Sequence, residues 1–428
     1  MTAAVPRGLA PVRRVLENGA VVIAKRSPTT PAVTIHASFN AGTIFDPPDT
    51  HGLSHFVSRA IDRGTERQTA DQIAEELDSR GVSLSVTVNR HAQSLVCTCL
   101  IEDLDAVLGI VADIALRPTF PSEEVETRRS EIITLIRQDE DNPAAIAGEA
   151  LFTALYGAPH PYGWRPRGSV EQVERIDAAA LRRFHRERFW PASLSLVMVG
   201  DVDPAVAIES AAAAFGTWQA GVGPMHASPL PDVESARARR VQVMPMMNKA
   251  QTDIAYGFIS VRRADPAFYA FWLMNNILGQ YSLGGRLGSS IRERQGMAYY
   301  VHSALDANVI SGPLMIRAGV SPANVERAVA SIDEELRLMA SDGPTELELK
   351  ESRQYLIGSM PRNLETNAGI ANFLQMVEFF HLGLDYDVRV PDLLSAVTLA
   401  DVCDAARRVL DPSRATIVVA GPYDGQLQ

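Results

Sequence analysis

Apolar and polar residues alternate between positions 82 and 100, with Val82, Leu84, Val86 and Val88 two apart and Leu95, Cys97 and Cys99 repeating the spacing. A period of two predicts strands. Elsewhere the apolar positions recur every three to four residues, over Thr69 to Ser79 and Val325 to Met339, and predict helices. A third pattern is nearly unbroken: Ser195 to Gly200 and Ala415 to Gly421 are β-branched runs ending in glycine, each after a Trp-Pro or Asp-Pro turn. Strands and helices mixed in this way give an α+β or sandwich-like half, with a sheet covered on one side by helices, and the fold class expected is α+β.

These patterns occur twice. The run-ending glycines, Gly200 and Gly421, are 221 residues apart. A second pair of landmarks, Pro121-Ser122-Glu123 with Arg128-Arg129 and Pro344-Thr345-Glu346 with Glu351-Ser352-Arg353, is offset by 223. Both open an amphipathic helix, since a proline and a capping hydroxyl ahead of acids make a helix start. Agreement of the offsets predicts an internal duplication. Between the copies, Gly221 to Pro231 is rich in glycine and proline and suits an extended linker. The expected domains are 1–220, a linker at 221–238, and 239–428.

Composition narrows the classes. A chain of 428 residues, 46% hydrophobic, can bury sizeable cores. Its 40 basic and 51 acidic residues give a net charge of −11, with no basic stripe, which argues against nucleic-acid binding. Three cysteines, Cys97, Cys99 and Cys403, fit a reducing compartment; the first two, on one face of a strand, suit packing better than a metal pair. The N-terminus has no apolar core and cleavage pattern, and no apolar run is long enough for a membrane. A cytoplasmic location without membrane contact is expected. Arg7, Arg13 and Arg14 without acids leave a transit peptide as the competing view, although this segment runs almost directly into a strand-like stretch.

Candidate chemistry centres on residues 51 to 66, His-Gly-Leu-Ser-His-Phe-Val-Ser-Arg-Ala-Ile-Asp-Arg-Gly-Thr-Glu. An H-x-x-E-H helix binds zinc because its histidines lie four apart on one face, with the glutamate activating a metal-bound water. Here the slots hold His55, Ser58 and Arg59. A guanidinium stays protonated and cannot donate to a metal. Gly52-Leu53-Ser54-His55-Phe56 and Gly64-Thr65-Glu66 resemble the G-L-A-H-F-L-E-H-M-x-F-K-G-T stretch of the M16 (pitrilysin and mitochondrial processing peptidase) family. The resemblance implies a glutamate ligand in a later helix. The matching run, Thr127 to Ile136, is aligned by Asp141-Asn142-Pro143 and puts Leu135 in that slot, with Glu131 four residues away. His160-Pro161-Tyr162-Gly163 is similar to the family's H-P-Y-G loop. With one imidazole left, no zinc is expected in this chain.

The second half carries Gly285 to Tyr299, which resembles the family segment S-R-L-F-x-x-I-R-E-x-x-G-L-A-Y. The resemblance implies that Arg292 and Tyr299 reach substrate near a metal held elsewhere, and that Arg286 is structural. A guanidinium can bind a peptide carbonyl and a phenol can donate to an oxyanion. The alternative is that Arg292 pairs with neighbouring acids and Tyr299 starts a buried strand. The family's substrate-strand signature has also drifted, to Gly81-Val82-Ser83-Leu84-Ser85-Val86-Thr87-Val88 without its Asn-Ala pair. His51, four residues before His55, sits near the expected helix start; the other histidines default to surface or core roles, and Gly284-Gly285 and Gly288 lack a phosphate-loop context.

The resemblance implies two α/β halves forming one side of a clamshell chamber. It also implies a heterodimer: this chain as the non-zinc subunit, with Arg292 and Tyr299, and a zinc-bearing partner with an intact H-x-x-E-H, together cleaving peptides. In isolation a homodimer is open. The alternative is a catalytically inactive structural or peptide-binding homologue, resembling the core subunits of the respiratory cytochrome complex, or a homodimeric scaffold.

Overall fold

In the computed structural model, which describes residues 8–219, 230–280 and 285–427, the apolar runs become strands of two separate sheets. The first holds β1 (Val12–Val15), β2 (Val21–Arg26), β3 (Ala32–Phe39), β4 (Ser85–Val88), β5 (Gln93–Leu100) and β6 (Leu194–Gly200), in the order β1-β2-β6-β3-β5-β4. The second holds β7 (Arg240–Pro245), β8 (Thr252–Ile259), β9 (Ala298–Leu305), β10 (Pro313–Val320) and β11 (Thr416–Gly421), in the order β7-β11-β8-β10-β9. The fold is α+β.

The duplication is visible in the pairing. In the first sheet β2 and β6 are parallel while β6-β3, β3-β5 and β5-β4 are antiparallel. In the second, β7 and β11 are parallel while β11-β8, β8-β10 and β10-β9 are antiparallel. Strand for strand, β2-β6-β3-β5-β4 is repeated as β7-β11-β8-β10-β9. The alternating stretch from 82 to 100 is two strands, β4 and β5, joined by a turn in which Asn89 Oδ1 accepts from the His91 and Ala92 N–H groups, each at 2.8 Å. The expected helices form over Ala70–Asp78, closed by a Thr69–Gln72 capping box, and over Val325–Ser341.

Contacts divide the described residues into two units. One gathers 8–136, 165–219 and 360–388; the other gathers 137–164, 230–359 and 389–427. Most of the expected linker, residues 221–229, lies outside the described residues. Each unit therefore contains a helical segment from the far side of that stretch.

The reason lies in the unbroken apolar runs. β8 and β11 are buried along their whole length, and β3 and β6 nearly so, the pattern of strands covered on both faces. In the first unit one face packs on the unit's larger core, including Leu53, Phe56, Leu108 and Phe215. The second face is covered as well, which the sequence pattern did not predict. Ile23, Val197 and Val199 pack against Ile370, Ala371 and Leu374 of the helix Asn367–Phe379. Gln375 fixes that helix, its Nε2 donating to the His36 and Ser195 carbonyls at 2.8 and 2.7 Å. In the second unit the helix Pro143–Tyr156 lies on β8 and β11, the strands equivalent to β3 and β6. There Gly257 admits it closely: a Cβ at that position would lie 3.0 Å from a Leu151 methyl carbon. The two halves have exchanged covering helices.

Leu374 is fully buried, so Leu374→Ala is expected to cost about 2–5 kcal/mol. Denaturant unfolding measures the loss, and hydrogen exchange should locate it in β3 and β6; normal protection there would refute the covering role.

Candidate functional site

The helix Leu53–Ala60 buries Leu53, Phe56, Val57 and Ala60 and leaves His55 and Arg59, one turn apart, on its other side. Its first turn is held from outside the usual capping position. Gly52, the residue before the helix, has φ +90° and no side chain, and Asp46, six residues upstream, accepts from the Gly52 and Ser54 N–H groups, each at 2.8 Å. Gly52 and Gly168 (φ +71°) meet backbone to backbone: a Cβ on the first would strike the Arg167 carbonyl, and on the second the His51 carbonyl. This close approach brings the Arg167 segment against the start of the helix. His51 lies outside the helix and does not share a face with His55.

The helix Ser122–Glu140, anchored by Val125, Ile132 and Ile136, supplies the second wall. Its Glu131 meets Arg59 at 3.5 Å and is gripped more closely, at 2.8 Å, by Arg128 of its own helix. Leu135, one turn beyond Glu131, brings no donor atom. Ser58 turns its hydroxyl back to the His55 carbonyl at 2.7 Å. Burial, with Arg167 and Arg59 nearby, pushes the His55 imidazole down to about 4, so it is neutral at physiological pH. A neutral imidazole suits zinc, but a guanidinium paired with a carboxylate stands in the next ligand slot. Among the described residues no group of three or more His, Cys, Asp or Glu could hold a metal. The residues present do not fit a catalytic zinc site.

Arg292 and Tyr299 lie in the other unit, on either side of the turn between a π-helical segment, Gly288–Arg294, and β9. Arg286 and Arg294 are tied down: Arg286 makes two bonds to Glu348, at 2.7 and 2.9 Å, and a third to the Gly343 carbonyl, while Arg294 reaches Glu335 at 3.4 Å. Among the described residues Arg292 meets only the adjacent Glu293, at 3.9 Å, and its side chain is 45% exposed. Tyr299 is 82% exposed, although Met297 and Ala298 beside it are buried. It is not buried with its strand: β9 is the edge of its sheet, and the register with β10 jumps from Tyr300–Gly319 to Ala298–Val320, leaving Tyr299 as the unpaired residue of a bulge. β4, which contains the second half of the drifted substrate-strand signature, is likewise an edge strand, with Ser85 and Thr87 exposed.

Other candidates are structural. His160 is buried, its Nδ1 accepting from the Tyr162 N–H at 3.0 Å. Cys97 and Cys99 are buried on β5, where burial pushes their thiols up to about 12 and 11. Gly284 lies outside the described residues. Asp46 was not legible in the sequence because an acid seven residues before the first helical residue fits no capping spacing.

The isolated chain, purified without chelators, is expected to carry substoichiometric zinc by elemental analysis; one tightly held zinc per chain would refute the reading of Ser58, Arg59 and Leu135. Asp46 sets a pH dependence. Burial raises its carboxyl to about 7, against the opposing pull of the Ser54, Gly52 and Leu53 N–H groups. The folded state therefore holds the proton more tightly than the unfolded one, and this stabilisation, present below about pH 4, is lost as pH rises to 7. Urea midpoints of Asp46→Asn should fall less than wild type between pH 5 and 8; parallel curves would refute the assignment.

The first half of the chain, residues 21–161, matches the family profile described as insulinase (peptidase family M16), and residues 175–356 match the peptidase M16 inactive domain. Uncharacterized zinc proteases are similar over most of their length. One from Mycobacterium leprae is 26% identical over 96% of this chain and 92% of its own, and one from Bacillus subtilis 25% identical over 83% and 84%. Among solved structures, the peptidase M16 inactive domain from Pseudomonas fluorescens superposes with a TM-score of 0.90 at 23% identity, covering 98% of this chain and 100% of that one. A protease from Helicobacter pylori gives 0.88 at 16% identity, covering 96% and 99%. With these two profiles of one family together spanning residues 21–161 and 175–356, the chain belongs to the M16 peptidase family.

Proposed function

We propose that this chain is the non-zinc subunit of a heteromeric M16B peptidase and acts on peptides held by a zinc-bearing partner. The reading is carried by Tyr299, a large aromatic 82% exposed at a bulge on an edge strand. The arginines support it by contrast, since Arg286 and Arg294 hold the fold while Arg292 is left with one long contact. In this role the guanidinium of Arg292 binds a substrate carbonyl, and the Tyr299 hydroxyl donates to the oxygen that becomes negative as the peptide bond is attacked. Activation of water belongs to the partner's zinc. This chain lacks the donors for it, so alone it is inactive, and a second copy can occupy the partner's place. A cytoplasmic location belongs to the same proposal.

The second reading is a catalytically inactive binding or structural homologue. It is favoured by the drift of the ligand slots at Ser58, Arg59 and Leu135 together with that of the Gly81 to Val88 signature.

Co-purification with a family member carrying an intact H-x-x-E-H motif, followed by peptide cleavage assays, separates the two. Arg292→Ala and Tyr299→Phe are each expected to lower turnover by about 10²-fold, the effect of losing a transition-state donor, with the complex and its zinc content intact. Unchanged turnover in an intact complex would overturn the catalytic reading.

A further inference from the structure

The face of the Leu53–Ala60 helix that would hold two metal ligands in a zinc-binding relative here holds hydrogen-bond donors. His55 Nε2 is buried without a hydrogen-bond partner, and so is Arg59 Nε. A buried nitrogen of this kind is destabilising unless something outside the chain satisfies it. Arg59 and Arg167 both act on His55, and Arg59, Arg63 and Arg128 all act on Asp62. The neighbouring carboxylates are engaged by other arginines: Asp62 meets Arg63 at 3.2 Å, and Glu124 and Glu131 meet Arg128 at 3.9 and 2.8 Å. Glu131 already shows what the guanidinium of Arg59 accepts. It reaches that group only at 3.5 Å, while its closer bond, at 2.8 Å, goes to Arg128. Arg59 is therefore incompletely paired, next to an imidazole that can place its proton on Nε2.

We propose that this face binds a peptide carboxylate, with the Nε2–H of His55 and the guanidinium of Arg59 as donors. Helical spacing that serves a cation when it carries two imidazoles serves an anion when one is exchanged for a guanidinium. A carboxylate matches the planar fork of the guanidinium. It would complete the bonds that Glu131 leaves open. The choice of a peptide as ligand rests on the proposed function. The site itself does not, and it is tested without the zinc-bearing partner, so either can fail alone.

The test uses the full chain labelled with 15N-histidine, titrated with acetyl-trialanine, its C-terminal amide, and amidated acetyl-Ala-Glu-Ala. The His55 signal, identified by its loss in His55→Gln, is expected to move with acetyl-trialanine and not with its amide. A response to the glutamate peptide would extend the site to side-chain carboxylates, and silence would restrict it to C-termini; both support the proposal. Arg59→Met removes a charge-assisted hydrogen bond and is expected to weaken binding about tenfold. Glu131→Gln removes the competing carboxylate and should tighten binding severalfold without disturbing the helix that bears His55. The proposal is overturned by equal responses to acid and amide, by no response, or by a Glu131→Gln chain that binds no more tightly than wild type.

Discussion

Each sheet of this protein has two apolar faces, and that constraint governs the rest. A strand such as β8, buried at every position, cannot stop at one layer of helices, because its second face would stand in water. The helix laid on that face comes from the other half of the chain in both units. Gln375, whose amide joins the His36 and Ser195 carbonyls, shows that this is specific docking as well as apolar burial. With both faces covered, the edges are what remain open, and it is on edge strands that Tyr299 and the Ser85–Val88 segment are found.

The region around His55 keeps the architecture of a metal site while changing its chemistry. The helix is positioned by buried Phe56 and Val57, capped by Asp46 and held close to the Arg167 segment, so backbone placement does not depend on a metal. Arg59 introduces a fixed positive charge on the face where a dication would bind. Glu131 answers it only at 3.5 Å, its closer bond going to Arg128. The slots at Ser58, Arg59 and Leu135 thus carry no metal-binding set among the described residues, while the helix that bears His55 keeps its buried anchors.

Much of this was legible in the sequence, for local reasons. Alternation marked β4 and β5, the unbroken runs marked β6 and β11, and the paired helix starts revealed the duplication that the strand orders repeat. The slots at His55, Ser58, Arg59 and Leu135 could be read because a helix fixes which residues share a face. The helix exchange could not be read. An apolar stripe at Ile370, Ala371 and Leu374 says that a helix needs a surface, but either half offers an equivalent one. Asp46 was invisible for a related reason, since its partners are set by the path of the loop. The exposure of Tyr299 goes with an edge position and a bulge in the β9–β10 register, which follow from strand pairing and not from the residues of the strand.

The exchanged helices also change what a broken chain would be. A cut between Phe215 and Arg240 would leave two polypeptides, neither holding all of either unit, each retaining the helix that the other's sheet requires. Such a nicked molecule would stay together as complementary fragments, in the manner of a split protein, with no covalent bond between them.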